Sequence, residues 1–221
     1  MKEMIRVKKL AKIYGEGHTL VRALDGVDLS VEKGEFLAVM GPSGSGKTTL
    51  LNMLGALDKP TSGEVFIDKV QVSKVPERKL YKVRREKIGF VFQSYYLVST
   101  LTALENVLVP TLPLGKDRFS ERAEEVLEEV GLKERTHHYP SQLSGGEQQR
   151  VAVARALILN PPIVLADEPT GNLDSKTGKE IVDLMRRLNK EGKKTFVVVT
   201  HDKEITRTAD QIVNILDGKI T

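Results

Sequence analysis

Short apolar runs and amphipathic stretches alternate along most of the chain. Continuous apolar runs bounded by turn residues predict buried strands, and they occupy these segments: Met4 to Leu10, Leu24 to Val31, Glu35 to Met40, Glu64 to Asp68, Lys87 to Phe92, Ile163 to Ala166, Thr195 to Thr200 and Gln211 to Leu216. Apolar residues at helical spacing predict helices at Lys47 to Leu57, Glu121 to Val130, Glu147 to Leu159 and Ser175 to Lys190. Buried strands interleaved with helices indicate an α/β fold whose parallel sheet is covered on both faces.

The region between about residues 93 and 160 differs because its signals are helical. Ser120 is suited to cap one helix, and Gly131 is suited to end it. A second helix begins after Gly145 and Gly146, and Pro161-Pro162 ends it because proline cannot continue a helix. We therefore expect one domain over residues 1–221, in which residues 1–92 and 161–221 form the core and residues 93–160 form an inserted helical subdomain.

A glycine-rich stretch separates the strand at Glu35 to Met40 from the helix that begins at Lys47. It fits the phosphate-loop pattern G-x-x-x-x-G-K-[ST], with the residues Gly41, Pro42, Ser43, Gly44, Ser45, Gly46, Lys47 and Thr48. Glycines let backbone N–H groups curl around an oxyanion without Cβ clashes, and the helix dipole helps to hold phosphate. We predict that Lys47 reaches the β- and γ-phosphates and that the Thr48 hydroxyl ligates Mg²⁺.

Polar residues follow two of the predicted strands. Asp167 and Glu168 come directly after the run Ile163 to Ala166, and open α/β sheets bind ligands at the carboxyl ends of their strands. We expect Asp167 to bind Mg²⁺, directly or through water, and Glu168 to polarise the water that attacks the γ-phosphate. His201 follows the strand that ends at Thr200, where it either contacts the γ-phosphate or the attacking water or is an ordinary loop histidine.

Two further positions carry candidate chemistry. Gln93 follows the strand that ends at Phe92, and its amide suits Mg²⁺ or a bound water, although a lone glutamine indicates little by itself. Ser144, Gly145 and Gly146 open a helix and create a second anion site with exposed N–H groups. The chain therefore carries two phosphate-binding devices, about a hundred residues apart.

Composition narrows the function classes. The 221 residues include 34 Lys+Arg and 30 Asp+Glu, for a net charge of +4. There is no run of five basic residues, so we expect no nucleic acid partner. The chain has no cysteine, which excludes disulfides and cysteine-bound metals. No apolar run approaches the ~18–20 residues of a membrane helix, and charges interrupt Met1 to Val7 where a signal peptide would be apolar. We expect a soluble protein that meets a membrane only through a partner.

The order of the motifs resembles that of the nucleotide-binding subunit of ABC (ATP-binding cassette) transporters, over essentially the whole chain. The matching motifs are the Walker A loop Gly41–Thr48, the Q-loop residue Gln93, the signature Leu143–Gln148, the Walker B acids Asp167 and Glu168, the D-loop Asn172-Leu173-Asp174 and the switch histidine His201. The resemblance implies a P-loop NTPase (RecA-like) parallel-sheet core, with an N-terminal antiparallel β subdomain and an inserted α-helical subdomain.

The resemblance also implies a composite site. In this family two copies pair head to tail, and each ATP lies between the Walker A loop of one copy and the signature of the other. ATP contacts are then expected from Tyr14, which matches the aromatic that stacks on adenine, and from Gly41, Ser43, Gly44, Ser45, Gly46, Lys47, Thr48, Thr49, Ser144, Gly145, Gly146 and Asp174. Mg²⁺ contacts are expected from Thr48, Gln93 and Asp167, and catalytic roles from Glu168, His201, Lys47 and Gln93.

A finer resemblance is to the LolD/MacB/FtsE-like group, which serves lipoprotein release, macrolide export and cell division. It rests on Asp167–Asp174, Ile88–Gln93 and Leu101–Val107. It implies an integral-membrane permease as partner and a cytoplasmic location, peripheral on the inner face of the cell membrane. A permease would dock near the Q-loop, where the candidates are Ser94, Tyr95, Tyr96 and Leu97.

Other functions fit the same motifs to different degrees. A regulatory, division-linked ATPase that gates a cell-wall hydrolase through a membrane partner differs only in that partner. Soluble DNA-repair cassettes need a long coiled-coil insertion between Walker A and signature, and translation factors need tandem cassettes; the chain has neither. Simple kinases and small GTPases do not use the Leu143–Gln148 signature.

Overall fold

The computed structural model describes residues 2–221. Its strands are β1 Glu3–Tyr14, β2 Val21–Glu32, β3 Phe36–Met40, β4 Ser62–Ile67, β5 Val70–Gln71, β6 Ile88–Phe92, β7 Ile163–Asp167, β8 Thr195–Val199, β9 Gln211–Leu216 and β10 Lys219–Ile220. Its α-helices are α1 Lys47–Leu54, α2 Glu77–Lys87, α3 Ala103–Leu108, α4 Ser120–Glu129, α5 Gly145–Leu157, α6 Ser175–Gly192 and α7 Lys203–Thr208. Short 3₁₀ turns join several of these elements.

The larger sheet has six strands in the order β10-β9-β3-β8-β7-β6. All of its pairings are parallel except that of β10 with β9. The register places Phe92 opposite Asp167, and Asp167 opposite Val199, which also pairs with Val39. The polar residues that follow these positions therefore reach the same edge of the sheet.

Alternate residues of the larger sheet enter two separate cores, because successive side chains of a strand point to opposite faces. On β3, Phe36 and Ala38 pack with α3, α4, α5 and α6, whereas Leu37 and Val39 pack with α1 and the second sheet. That second sheet is antiparallel and has four strands in the order β2-β1-β4-β5. With both faces covered, every residue of β8 is buried.

The expected fold class is confirmed, and the differences lie in the details. Helix α1 ends at Leu54 rather than Leu57, because Ala56 adopts a left-handed φ of 51° after Gly55 has bonded back to the last turn. Ser120 is the first residue of α4 rather than its cap. Three helices, α2, α3 and α7, have no counterpart among the predicted segments, and β10 adds an antiparallel edge.

Helices α3, α4 and α5 lie between residues 93 and 160, and no strand lies there, in agreement with the helical character predicted for this region. The division of the chain at those two residues stays a prediction. Among residues 2–221, no helix is long and apolar enough to cross a membrane.

Candidate functional site

The glycine-rich loop between β3 and α1 has a shape that depends on its glycines. Gly46 caps α1 with a φ of 107°, and a Cβ there would lie 2.4 Å from the carbonyl oxygen of Ala23. Gly44 is also left-handed, with a φ of 80°. No side chain caps the start of α1, so its first-turn N–H groups are left to a ligand.

Lys47 folds back over this loop. Its Nζ donates to the carbonyl oxygens of Gly41 at 2.8 Å and Pro42 at 2.9 Å, and its side chain is largely buried. Ser45 is buried too, and its carbonyl accepts a 2.9 Å hydrogen bond from the N–H of Gly218 in the turn between β9 and β10. Ser43 and Gly44 at the loop tip are exposed, so the loop offers its backbone outward while its base is anchored.

Thr48 and Asp167 meet at the edge of the larger sheet. The Thr48 Oγ1 lies 3.3 Å from one carboxylate oxygen of Asp167 and 3.4 Å from the other. The pKa of Asp167 is raised, chiefly by burial and also by the charge of the adjacent Glu168. The Thr48 hydroxyl and the Lys47 charge oppose this rise without cancelling it. The pair is a set of hard oxygen donors, the type that Mg²⁺ prefers. Among residues 2–221, no cluster of three or more His, Cys, Asp or Glu could hold a metal ion.

Glu168 and His201 face each other at the same edge. The Oε2 of Glu168 lies 2.9 Å from the Nδ1 of His201, yet the ring nitrogen is not aligned to donate to it. Glu168 itself has a left-handed φ of 46°, and its backbone N–H is held by the carbonyl of Val199 at 2.9 Å. The buried carboxylate oxygen is thus left without a directed donor among the described residues, which suits a group that accepts a proton.

Gln93 reaches the same edge but turns toward the D-loop. Its Nε2 donates to the Oδ1 of Asn172 at 3.1 Å, and the Asn172 Nδ2 donates to the Gln93 carbonyl at 3.0 Å. A Cβ on Gly171 would lie 2.7 Å from the Gln93 amide nitrogen, so the glutamine packs directly on that glycine. The amide is therefore held by Asn172 and not by Asp167.

The serine and glycines of the signature lie at the start of α5. Ser144 caps the helix: its Oγ accepts from the Glu147 N–H at 3.2 Å, and the Glu147 carboxylate accepts from the Ser144 N–H at 2.8 Å. A Cβ on Gly146 would lie 2.3 Å from the Cγ2 of Thr177, so α5 packs closely on α6. Among the described residues, no hydrogen bond or ion pair joins residues 144–146 to residues 41–48.

Three remaining candidates have mixed surroundings. The Asp174 carboxylate caps α6, accepting from the N–H groups of Lys176 at 3.0 Å and Thr177 at 3.1 Å. Tyr14 ends β1 with its hydroxyl bonded to Asp58, and the Thr49 side chain of α1 lies close enough to affect its pKa. Tyr14 and Thr49 therefore lie beside the phosphate loop. Both carboxylate oxygens of Asp174, in contrast, accept hydrogen bonds from the first turn of α6.

Sequence reasoning missed Arg155, which lies on α5 far from the signature. Its two terminal nitrogens donate to the carbonyls of Tyr95 and Tyr96, each at 2.5 Å. Both tyrosines have left-handed φ angles, 57° and 47°, which turn those carbonyls toward the arginine. Arg155 thereby links the segment after Gln93 to the signature helix α5. The sequence could not predict this contact, because nothing in it indicates that two consecutive tyrosines adopt a left-handed backbone.

Comparison with known protein families identifies the chain from the same region that holds this site. The region includes the strand–loop–helix unit, the acids at the end of β7 and the glycines that open α5. The ABC transporter family matches residues 24–171. The chain belongs to the ABC transporter family. As a member it is an ATP-binding and ATP-hydrolysing cassette, and the predicted family is confirmed.

Relatives refine this placement. The ATP-binding cassette MJ0796 of Methanocaldococcus jannaschii is 50% identical over 98% of this chain and 95% of its own length. A dimeric structure of MJ0796 in a post-hydrolysis state with ADP and Pi superposes with a TM-score of 0.89, at 49% identity over 98% of this chain and 96% of that one. A lipoprotein-releasing system ATP-binding protein LolD of Legionella pneumophila is 49% identical over 96% of this chain and 95% of that protein.

A macrolide export ATP-binding/permease protein MacB of Paracoccus denitrificans is 48% identical over 98% of the cassette. The cassette spans only 33% of that protein's length. The predicted likeness to the LolD/MacB-like group is confirmed by these relatives.

Proposed function

We propose that this cassette is the ATPase of an export-type or mechanotransmission membrane complex, and that two copies pair head to tail around two ATP molecules. The observation that carries the proposal is the separation of the two anion sites. The phosphate loop and the signature serine and glycines make no polar contact within one chain, although each has helix N–H groups that suit phosphate. A second copy would bring a signature to each phosphate loop.

The proposed nucleotide site uses the loop tip for the phosphate oxygens and Lys47 for the β- and γ-phosphates. A phosphate would replace the carbonyls of Gly41 and Pro42 as partners of the Lys47 ammonium. Ser144 and Gly146 of the other copy would complete the contacts to the γ-phosphate. Tyr14 supplies an aromatic surface beside α1 for the adenine base.

Thr48 and Asp167 would hold Mg²⁺, since their oxygens already lie 3.3–3.4 Å apart at the sheet edge. One carboxylate, one hydroxyl, phosphate oxygens and water make a usual Mg²⁺ shell. When bound, Mg²⁺ neutralises charge that develops on the transferred phosphoryl group. Gln93 would join this shell only after its amide leaves Asn172.

Hydrolysis is proposed to use Glu168 as the base for the attacking water. Its carboxylate oxygen is buried and unaligned with any donor among residues 2–221, so it is free to accept the proton. His201 lies within hydrogen-bond distance of Glu168, and most of its side chain is exposed, so it would be available to the water or the γ-phosphate. Loss of the γ-phosphate removes the contacts that hold the two copies together, which would release the dimer.

The membrane partner is proposed to dock on an apolar groove of about 340 Å³ beside the Q-loop. Its lining includes Phe90, Phe92, Tyr96, Val109, Pro110 and Leu159. Of the four candidate docking residues, Leu97 packs against the core and Tyr95 is half-buried, whereas Ser94 and Tyr96 are exposed. Tyr96 stacks edge-on against Phe92 at 5.4 Å and presents its ring to the groove.

Such docking would hold the cassette on the cytoplasmic, inner face of the cell membrane. Tyr96→Asp should weaken co-purification of a coexpressed permease, because an exposed aromatic side chain that the partner would bury is replaced by a charge. The ATPase rate of the isolated cassette should stay within about twofold. Loss of ATP binding in this variant would assign Tyr96 to the nucleotide site instead.

The proposal is tested with Glu168→Gln, which keeps the side-chain shape but removes the proton acceptor. With Mg²⁺ and ATP, hydrolysis should fall by about 10²-fold or more, and light scattering should detect a stable dimer. The wild type with ADP is the control and should be monomeric. A Glu168→Gln cassette that binds ATP and stays monomeric would contradict the head-to-tail pair.

A further inference from the structure

Tyr14 is fixed by its surroundings more firmly than a surface tyrosine needs to be. It lies at the end of β1 with 40% of its surface exposed, and its hydroxyl donates to the Oδ2 of Asp58 at 2.9 Å. Burial and the Asp58 carboxylate raise the pKa of Tyr14, with the Thr49 side chain opposing them. The phenol therefore stays protonated and keeps this hydrogen bond over the physiological pH range.

Lys12 lies two residues earlier on the same strand, so its side chain shares a face with Tyr14. The Nζ of Lys12 is 4.8 Å from the centre of the Tyr14 ring, within the range of a cation–π contact. Only 12% of the Lys12 side chain is exposed. The ammonium therefore covers one face of the tyrosine ring.

Asp58 joins these two side chains to the phosphate-loop helix. Its Oδ1 accepts from the Lys12 Nζ at 2.7 Å and from the Lys59 N–H at 2.6 Å. Lys12 also donates to the Lys59 carbonyl at 2.7 Å. Burial would raise the pKa of Asp58, but the hydrogen bonds from Lys12, Tyr14 and Lys59 outweigh it and lower the pKa, so the carboxylate is charged at neutral pH. Asp58, in the segment that follows α1, thus holds Tyr14 in place through its hydroxyl.

We propose that Lys12 and Asp58 are positioning residues for nucleotide binding, which hold the Tyr14 ring so that a purine base stacks on the face opposite Lys12. This inference rests on the proposed ATP-binding role of Tyr14. A ring fixed at its hydroxyl and covered on one face loses little freedom when a base binds, so less binding energy is spent on ordering it. A cation on one face also makes the ring a better partner for an electron-rich purine on the other.

The test compares binding of ATP with binding of inorganic tripolyphosphate, measured by titration calorimetry on the whole chain. Tripolyphosphate uses the phosphate loop but has no base. Lys12→Met keeps the aliphatic stem and should weaken ATP binding about three- to tenfold, the size of a cation–π contact, with tripolyphosphate binding unchanged. Asp58→Asn should also weaken ATP binding and leave tripolyphosphate binding unchanged. Lys12→Arg is the conservative variant: it keeps a cation and hydrogen-bond donors at this position and should retain the ATP affinity of the wild type.

Lys8→Met is the matched control, since Lys8 is exposed on the same strand and should change neither affinity. Equal losses for ATP and tripolyphosphate would overturn the positioning role, because they would indicate damage to the loop or the fold. No loss for ATP in either variant would overturn it as well. A folded wild-type chain that binds neither ligand would instead overturn the proposed nucleotide site at the phosphate loop.

Discussion

The Nδ1 of His201 lies 2.9 Å from the Oε2 of Glu168, so the residues that follow β8 and β7 meet at one point of the sheet edge. The parallel register of these strands produces the meeting, since Asp167 and Val199 are level. Three-quarters of the His201 side chain is exposed, whereas Glu168 is mostly buried. The histidine therefore lies between the buried acid and the solvent-exposed sheet edge.

His201→Ala should lower the turnover number for ATP hydrolysis about 10²-fold, the usual contribution of a positioned acid–base group, because the water beside Glu168 loses its second contact. Binding of ATP should change little, since the phosphate loop is untouched. Steady-state kinetics and equilibrium binding separate the two effects. His137→Ala, at an exposed histidine away from the sheet edge, is the control. An unchanged turnover number in His201→Ala would remove the histidine from the mechanism.

Gly146 is required by the packing of α5 on α6. Gly146→Ala would place its Cβ 2.3 Å from the Cγ2 of Thr177, and we expect a loss of about 1–3 kcal/mol in the free energy of unfolding. Thr177→Ser removes that methyl group and keeps the hydroxyl that donates to Asp174 at 2.6 Å. Adding Thr177→Ser to Gly146→Ala should therefore recover part of the stability in urea unfolding. Additive losses in the double variant would show that the methyl contact is not the cause.

Asp210 links β9 to α6 and contributes stability that depends on pH. Arg186 donates to both of its carboxylate oxygens, at 2.6 and 2.9 Å, and these hydrogen bonds hold the pKa of Asp210 well below its usual range against the opposing effect of burial. A group whose pKa is lower in the folded state stabilises the protein above its unfolded pKa, about 3.9 for aspartate, and loses that effect as the pH falls toward the folded pKa.

Asp210→Asn should therefore destabilise the cassette at pH 7 by about 1–3 kcal/mol, the range for hydrogen bonds to charged groups. The difference from wild type should narrow as the pH falls below about 4. Urea unfolding across this pH range measures it, with Asp117→Asn, at an exposed aspartate, as the control. If the difference in free energy of unfolding between wild type and Asp210→Asn stayed constant with pH, the charge of Asp210 would not be the source of the stabilisation.

The positions of the chemical motifs follow from local patterns. An apolar run such as Ile163 to Ala166 is buried in any α/β sheet, and the acids after it must emerge at the strand's carboxyl end. The glycine pattern before Lys47 similarly needs only its flanking strand and helix. These relations span a few residues, which is why the phosphate loop, Asp167 and Glu168 can be located from the sequence.

The helices that were missed have weak apolar patterns. In α2 only Leu80 is buried among many charged residues, so the pattern resembles a solvated loop. Helix α3 is short, although Thr102 and Glu105 form a capping box that is a readable start signal. Both helices depend on packing against neighbours that lie elsewhere in the chain.

The partners of individual side chains were the least predictable part. Gln93 bonds to Asn172, 79 residues away, and Tyr14 to Asp58, 44 residues away. Each choice depends on which groups the fold brings within about 3 Å, and a motif pattern contains no such information. Pattern matching therefore named the site residues, while the structure reveals what each one contacts.

The central claim, that each site combines two copies, is tested most directly by mixing two defective cassettes. Glu168→Gln removes the proposed base but leaves the signature intact, and Ser144→Arg blocks the signature but leaves the base. A mixed pair contains one site with an intact base and an intact signature. Random pairing in an equal mixture makes about half of the pairs mixed, each with one working site of two, so the ATPase rate should reach at most about a quarter of wild type. The rate falls below this limit to the extent that Glu168→Gln copies pair stably with each other.

Mixing Glu168→Gln with His201→Ala is the matched control, because both defects lie on the phosphate-loop side and no mixed pair has an intact site. Recovery of ATPase activity with Ser144→Arg and none with His201→Ala is the predicted result. A mixture of Glu168→Gln and Ser144→Arg that shows only the sum of the two residual rates, with both chains folded and binding ATP, would contradict the composite site.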